Sequence, residues 1–215
     1  MNRIHPMKRQ TGFTLMELLI VIAIAGVLVA VGVPGLRTMV ENNRLTSQIN
    51  QFSSSLALAR SEAVKVNDHV AICPSTNGSS CAADVDWNVG WITFINRRHA
   101  NGAHDTTPGT VQVDNDQVTG DASTDPCRAA QTYDDADDCI LSWTEALTPA
   151  SQTLRSDATE DYIYYNGSGR SNESASFVLC DSRGASHAKA VVISTTGRTS
   201  VRKDNVDGSA LSCTP

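Results

Sequence analysis

The sequence predicts an α+β fold in which one long N-terminal helix packs on an antiparallel β-sheet. Three observations predict it. A near-continuous apolar run lies close to the N-terminus. A stripe of helical period follows it. After Asn67 the apolar period falls to two. The 215 residues suffice for one ordinary domain plus an anchor.

The first element is the run Phe13–Val33, FTLMELLIVIAIAGVLVAVGV. As a helix it would be about 31 Å long, the thickness of a bilayer core. The segment before it, residues 1–12, carries Arg3, Lys8 and Arg9 and no acid, so the positive-inside rule keeps it in the cytoplasm. A secretory signal peptide or a plain anchor would share these features, and Ala30-Val31-Gly32 has the small residues of a signal cleavage site. Glu17 separates the readings. A carboxylate inside an apolar helix costs about 2.5–3.5 kcal/mol on insertion scales and calls for a functional partner. Neither a signal peptide nor a plain anchor needs one.

The stretch Lys8-Arg9-Gln10-Thr11-Gly12-Phe13-Thr14-Leu15-Met16-Glu17 resembles the class III signal of type IV prepilins and type II secretion pseudopilins. The resemblance implies that a prepilin peptidase cuts between Gly12 and Phe13 on the cytoplasmic face and N-methylates Phe13. It also implies that Glu17 pairs with the N-terminal amine of a neighbouring subunit, an assembly contact in which two opposite charges are buried together. Removing the leader takes the formal net charge from −6 to −9.

The second element continues the helix over residues 34–66. Pro34, flanked by Gly32 and Gly35, is expected to kink or locally melt it. Beyond lies an amphipathic stripe of Leu45, Ile49, Phe52, Leu56, Ala59, Ala63 and Val66. A soluble coiled coil would need more than the roughly three heptads present.

Residues 67–215 form the third part, a β-rich domain outside the cytoplasm. Its expected strands are 70–73, 91–95, 140–143, 162–165, 176–180, 189–194 and 198–202, with a hairpin turn at Thr196-Gly197. Residues 96–150 read as an acidic surface insertion, and from Asp105 to Asp161 there are 13 acids against Arg128 and Arg155. Asp134, Asp135, Asp137 and Asp138 cluster there, but without an EF-hand pattern, so they read as a solvated loop rather than a calcium site. The tripeptides starting at Asn77, Asn166 and Asn172 match a glycosylation sequon and read as turns.

Cys73, Cys81, Cys127, Cys139, Cys180 and Cys213 all follow the apolar run. An even count in an exported part reads as disulfides. Six cysteines allow fifteen pairings. The sequential set Cys73–Cys81, Cys127–Cys139 and Cys180–Cys213 is preferred, because the first two close short polar loops. No C-x-x-C is present and the five histidines are scattered, so no metal is expected. No nucleophile elbow, P-loop or H-E-x-x-H occurs, and neither a catalytic residue nor a cofactor is expected.

Three stretches narrow the resemblance: Tyr164–Arg170, Phe177–Asp181 and Val191–Arg198. With Leu58-Ala59-Arg60-Ser61-Glu62-Ala63 on the helix, they resemble the GspH/FimT family. This implies a type IV pilin fold, and implies that Cys180–Cys213 ties the C-terminus to the sheet. It further implies a minor pilin of FimT/FimU type that primes pilus assembly and sits in or near the tip complex. The partners would be other pilin subunits, the peptidase and the inner membrane, which the chain crosses once before assembly. A minor pseudopilin of type II secretion is the alternative. A DNA-binding minor pilin is another, because some family members bind DNA through Gly-Arg-x-Arg. Here Gly197-Arg198 is followed by Arg202 and Lys203, the second arginine coming two positions late. The acidic balance also argues against phosphate binding.

Overall fold

The computed structural model describes residues 13–96 and 139–213. The chain divides into two units, one ending at Asn43 and the other beginning at Arg44.

The described part of the first unit is helical from Leu15. Helix α1 spans Leu15–Val66. Thr14 caps its start: the Thr14 Oγ1 accepts the Glu17 N–H at 3.2 Å, and the Thr14 carbonyl accepts the Leu18 N–H at 3.2 Å. Thr14-x-x-Glu17 has the spacing of a capping box, and the Glu17 charge suits a helix N-terminus. Every large apolar side chain from Phe13 to Val40 is exposed. The helix passes through position 34 without interruption, which corrects the expected local melting. One missing donor leaves the bonds of the flanking turns in place.

The second unit begins with the rest of α1. Leu45, Ile49, Phe52, Leu56, Ala59 and Ala63 are buried, whereas Val66 is 38% exposed, so the stripe ends one turn sooner than its spacing implied. The reason is the C-cap. Asn67 takes φ 54°, and the Asp68 N–H returns to the Ala63 carbonyl at 3.3 Å. That closure turns the chain away before Val66 can reach the core.

Among the described residues eight strands follow: β1 His69–Pro74, β2 Gly90–Asn96, β3 Cys139–Glu145, β4 Thr153–Ser156, β5 Ile163–Tyr165, β6 Ala175–Cys180, β7 Lys189–Ile193 and β8 Thr199–Arg202. They form two antiparallel four-stranded sheets rather than one, in the orders β3-β2-β1-β5 and β4-β6-β7-β8. Strand β4 carries no sequence signal, because only Leu154 of its four residues is fully buried. Its pairing with β6 defines it. Tyr162 and Arg198 lie just outside β5 and β8. The acidic insertion is shorter than residues 96–150, because β3 pairs with β2 from Cys139 onward.

The core lies where α1 meets both sheets. The Phe52 ring meets Trp87 and Trp91 edge-on, at centroid distances of 5.4 and 5.0 Å, and lies 4.8 Å from Phe177. The Trp91 indole N–H donates to Ser55 Oγ at 3.0 Å, so the buried polar atom is satisfied. Cys73–Cys81 and Cys180–Cys213 are bonded. Cys139 is also disulfide-bonded. Cys127, its expected partner, lies outside the described residues, as do Gly12 and the Asp134–Asp138 cluster.

Candidate functional site

Two regions hold the residues singled out from the sequence. The first is the N-terminal helix. Its apolar side chains face outward on every side, with Glu17 as the charge in its first turn. Such a surface needs lipid or other helices to cover it, and its length and composition suffice to cross a membrane. The Glu17 backbone N–H is satisfied by Thr14. Phe13, at the start of this segment, is exposed.

The second region is the outer end of the sheet formed by β4, β6, β7 and β8. Arg198, Arg202 and Lys203 are exposed. Arg202 Nε donates to Ser200 Oγ at 3.2 Å, which places those two side chains on one face of β8. Two further cations, one in the β6–β7 connection and one at the start of β7, are already committed. Arg183 Nη2 bonds Asp181 Oδ2 at 2.6 Å, and Lys189 Nζ donates to Thr46 Oγ1 at 2.6 Å. Burial works against ionisation of Asp181, but the hydrogen bonds and charge of Arg183 outweigh it and hold the carboxyl below its usual range.

The second unit also contains a junction to which the sequence alone assigns no role. Arg60, on α1, donates from Nε to the Gly169 carbonyl at 3.0 Å and from Nη2 to the Thr196 carbonyl at 3.2 Å. It thereby fastens two hairpin turns to the helix. The first is closed by Asn166, whose Oδ1 accepts the N–H groups of Ser168 and Arg170 at 3.0 and 3.1 Å. The second is closed by Gly197 N–H to the Ser194 carbonyl at 2.8 Å and by Ser194 N–H to the Arg198 carbonyl at 3.0 Å.

The glycines let the turns approach the helix. A Cβ on Gly167 would lie 2.6 Å from Asn67 Oδ1, and one on Gly197 would lie 1.9 Å from the Gly169 carbonyl oxygen. The Tyr165 hydroxyl is buried without a hydrogen-bond partner among the described residues. Burial pushes its pKa up, against a smaller opposing effect of the Arg60 charge. The signals for this junction were in the sequence, as Asn166-Gly167-Ser168-Gly169, Thr196-Gly197 and Arg60, but only folding shows that they meet.

The sequon asparagines are turn residues. Asn77 Oδ1 accepts the N–H groups of Ser79 and Ser80 at 2.9 and 3.0 Å, and Asn172 Oδ1 accepts that of Tyr164 at 3.1 Å.

Residues 48–197, more than half of the chain, match the family described as Type II transport protein GspH. Residues 7–33 match the prokaryotic N-terminal methylation motif. Among solved structures, the chain is similar to the type IV minor pilin FimU of Pseudomonas aeruginosa in two crystal forms. The first is 18% identical, with 76% of this chain and 92% of that chain covered and a TM-score of 0.48. The second is 15% identical, with 73% and 91% covered and a TM-score of 0.45.

Proposed function

The chain belongs to the GspH family of type II transport proteins, and from that premise we propose that it is a minor subunit of a type IV pilus, one that primes assembly and sits in or near the tip complex. The observation that carries the proposal is the exposed apolar helix with Glu17 in its first turn, inside the methylation motif. In this reading the peptidase cuts after Gly12 and methylates Phe13. The helix then holds the subunit in the inner membrane until it is extracted.

The new N-terminal amine and the Glu17 carboxylate are opposite charges in apolar surroundings. Neither is tolerable alone, and pairing between neighbouring subunits satisfies both. The subunit register is then set electrostatically, and apolar helix packing supplies the cohesion. The second unit, fastened at Arg60, would supply the contacts that distinguish this subunit from others.

The test is a Glu17→Ala chain expressed in place of the natural one. It should be processed and N-methylated normally, as read by mass spectrometry of the N-terminal peptide. It should also be missing from filaments sheared off the cell. Normal incorporation would remove the role given to Glu17.

A second reading, a minor pseudopilin in a periplasmic pseudopilus, is favoured by the description of the matched family. Deletion separates the two: lost twitching supports the pilus, and lost enzyme secretion supports the pseudopilus. A DNA-binding role rests on the exposed Arg198, Arg202 and Lys203. It would require a salt-dependent gel shift abolished by replacing both arginines.

A further inference from the structure

Trp143 is the exposed aromatic side chain of the second unit among the described residues, at 50% exposure. Its chemistry is conspicuous beside that of the other two tryptophans, Trp87 and Trp91, which are buried with Phe52. The ring is not loose. A Cβ built on Gly78 would lie 2.6 Å from the indole Cδ2 and 2.8 Å from Cε2, so Gly78 packs closely against the ring-fusion atoms and leaves no room for a side chain there.

Gly78 belongs to the loop closed by Cys73–Cys81. Within it, the Gly78 N–H donates to Ser75 Oγ at 3.0 Å, and Asn77 Nδ2 donates to Ser80 Oγ at 2.9 Å. The seat of the ring is thus fixed by a covalent cross-link and by hydrogen bonds within the loop. A ring held against such a seat loses less orientational freedom on binding than one free in solvent.

The surroundings decide what such a ring would meet. Trp143 and Glu145 are both exposed on β3, two residues apart and therefore on one face, roughly 7 Å from each other along the strand. The adjacent loop exposes Thr76 and Asn77. The apolar area on offer is that of half an indole, on the order of 100 Å². A stable protein interface takes about 800 Å² from each partner, a little over half of it apolar. No other large apolar side chain of strand β3 or the 73–81 loop is exposed.

We propose that Trp143, seated on Gly78 and flanked by Glu145, is a binding platform for one pyranose ring of a neutral glycan with equatorial hydroxyls. Such a sugar has a flat face of axial C–H groups that matches the indole in size and apolarity, while its rim of hydroxyls can donate to Glu145. The same carboxylate repels acidic sugars, which sets the charge class of the ligand.

The experiment uses the full chain in a phosphocholine detergent, which has no sugar headgroup. The probes are the β-1,4-linked hexamers of glucose and of N-acetylglucosamine, read by saturation-transfer NMR. Transfer should concentrate on the axial protons of one face of the ring. Trp143→Ala should abolish it. Trp143→Phe, which keeps an aromatic ring and so separates lost binding from lost folding, should weaken binding about tenfold, equivalent to ~1.4 kcal/mol. Gly78→Ala should weaken it by displacing the ring. Glu145→Gln should weaken it and admit acidic sugars. Absence of transfer to both hexamers would overturn the proposal. So would transfer that survives Trp143→Ala, or saturable binding of an oligolysine while both sugars stay silent, since that would make the site a cation platform.

Discussion

Gly197→Ala probes the junction that fastens the hairpins to the helix. Two costs can be separated. Gly197 has φ +74°, and an alanine in the left-handed region costs about 1–2 kcal/mol. In addition, its Cβ would lie 1.9 Å from the Gly169 carbonyl oxygen and 3.1 Å from Arg60 Nε. The carbonyl would have to retreat by more than an ångström, and it is the acceptor of the Arg60 Nε bond at 3.0 Å. Losing that charge-assisted bond adds about 1.5–3 kcal/mol. The expected total is about 2.5–5 kcal/mol.

Gly208 supplies the control: it has φ +82° but nothing within 4 Å of an added Cβ. Gly208→Ala should therefore cost only the conformational part, about 1–2 kcal/mol. Equilibrium urea unfolding of both variants, followed by the emission of buried Trp87 and Trp91, measures the difference. Equal destabilisation of the two would refute the claim that close approach, rather than turn geometry, requires glycine at 197.

The remaining predictions concern the same unit. Arg60→Lys should destabilise by about 1–3 kcal/mol, because an ammonium cannot reproduce two N–H groups in a fixed fork; urea midpoints measure it. Phe52→Ala should cost about 3–5 kcal/mol, since it opens a cavity between Trp87, Trp91 and Phe177. A red shift of tryptophan emission should accompany the loss. Breaking Cys180–Cys213, which spans 33 residues, should cost about 3–4 kcal/mol by chain entropy, more than the roughly 2–3 kcal/mol for the shorter Cys73–Cys81 loop. Serine pairs at each site test the order.

The carboxyl of Asp181 is held below its usual range by Arg183. Its contribution is therefore present above the unfolded pKa of about 3.9 and disappears as pH falls through the lower folded value. Asp181→Asn should flatten the acid limb of the stability profile below about pH 4 and leave its shape above pH 5 unchanged. Urea midpoints across that range decide it.

Local order in the sequence determined a good deal. The apolar run and the stripe from Leu45 to Ala63 specify a helix, because a period near 3.6 leaves no other way to bury one face. Glu17 stands out by cost alone, since an ionised group in an apolar helix must have a partner. Alternation located seven strands, and the sequence resemblance indicated the family without any tertiary contact.

Contacts between distant segments decided the rest. Whether eight strands make one sheet or two depends on pairings such as β4 with β6, which four residues with one fully buried side chain do not announce. Arg60 acquires its role from carbonyls 109 and 136 positions away. Trp143 becomes a presented surface because Gly78 lies beneath it, whereas Trp87 and Trp91 of the same residue type go into the core. Periodicity records which side of an element is buried. It does not record what lies on that side, because that depends on residues the chain brings together only when it folds.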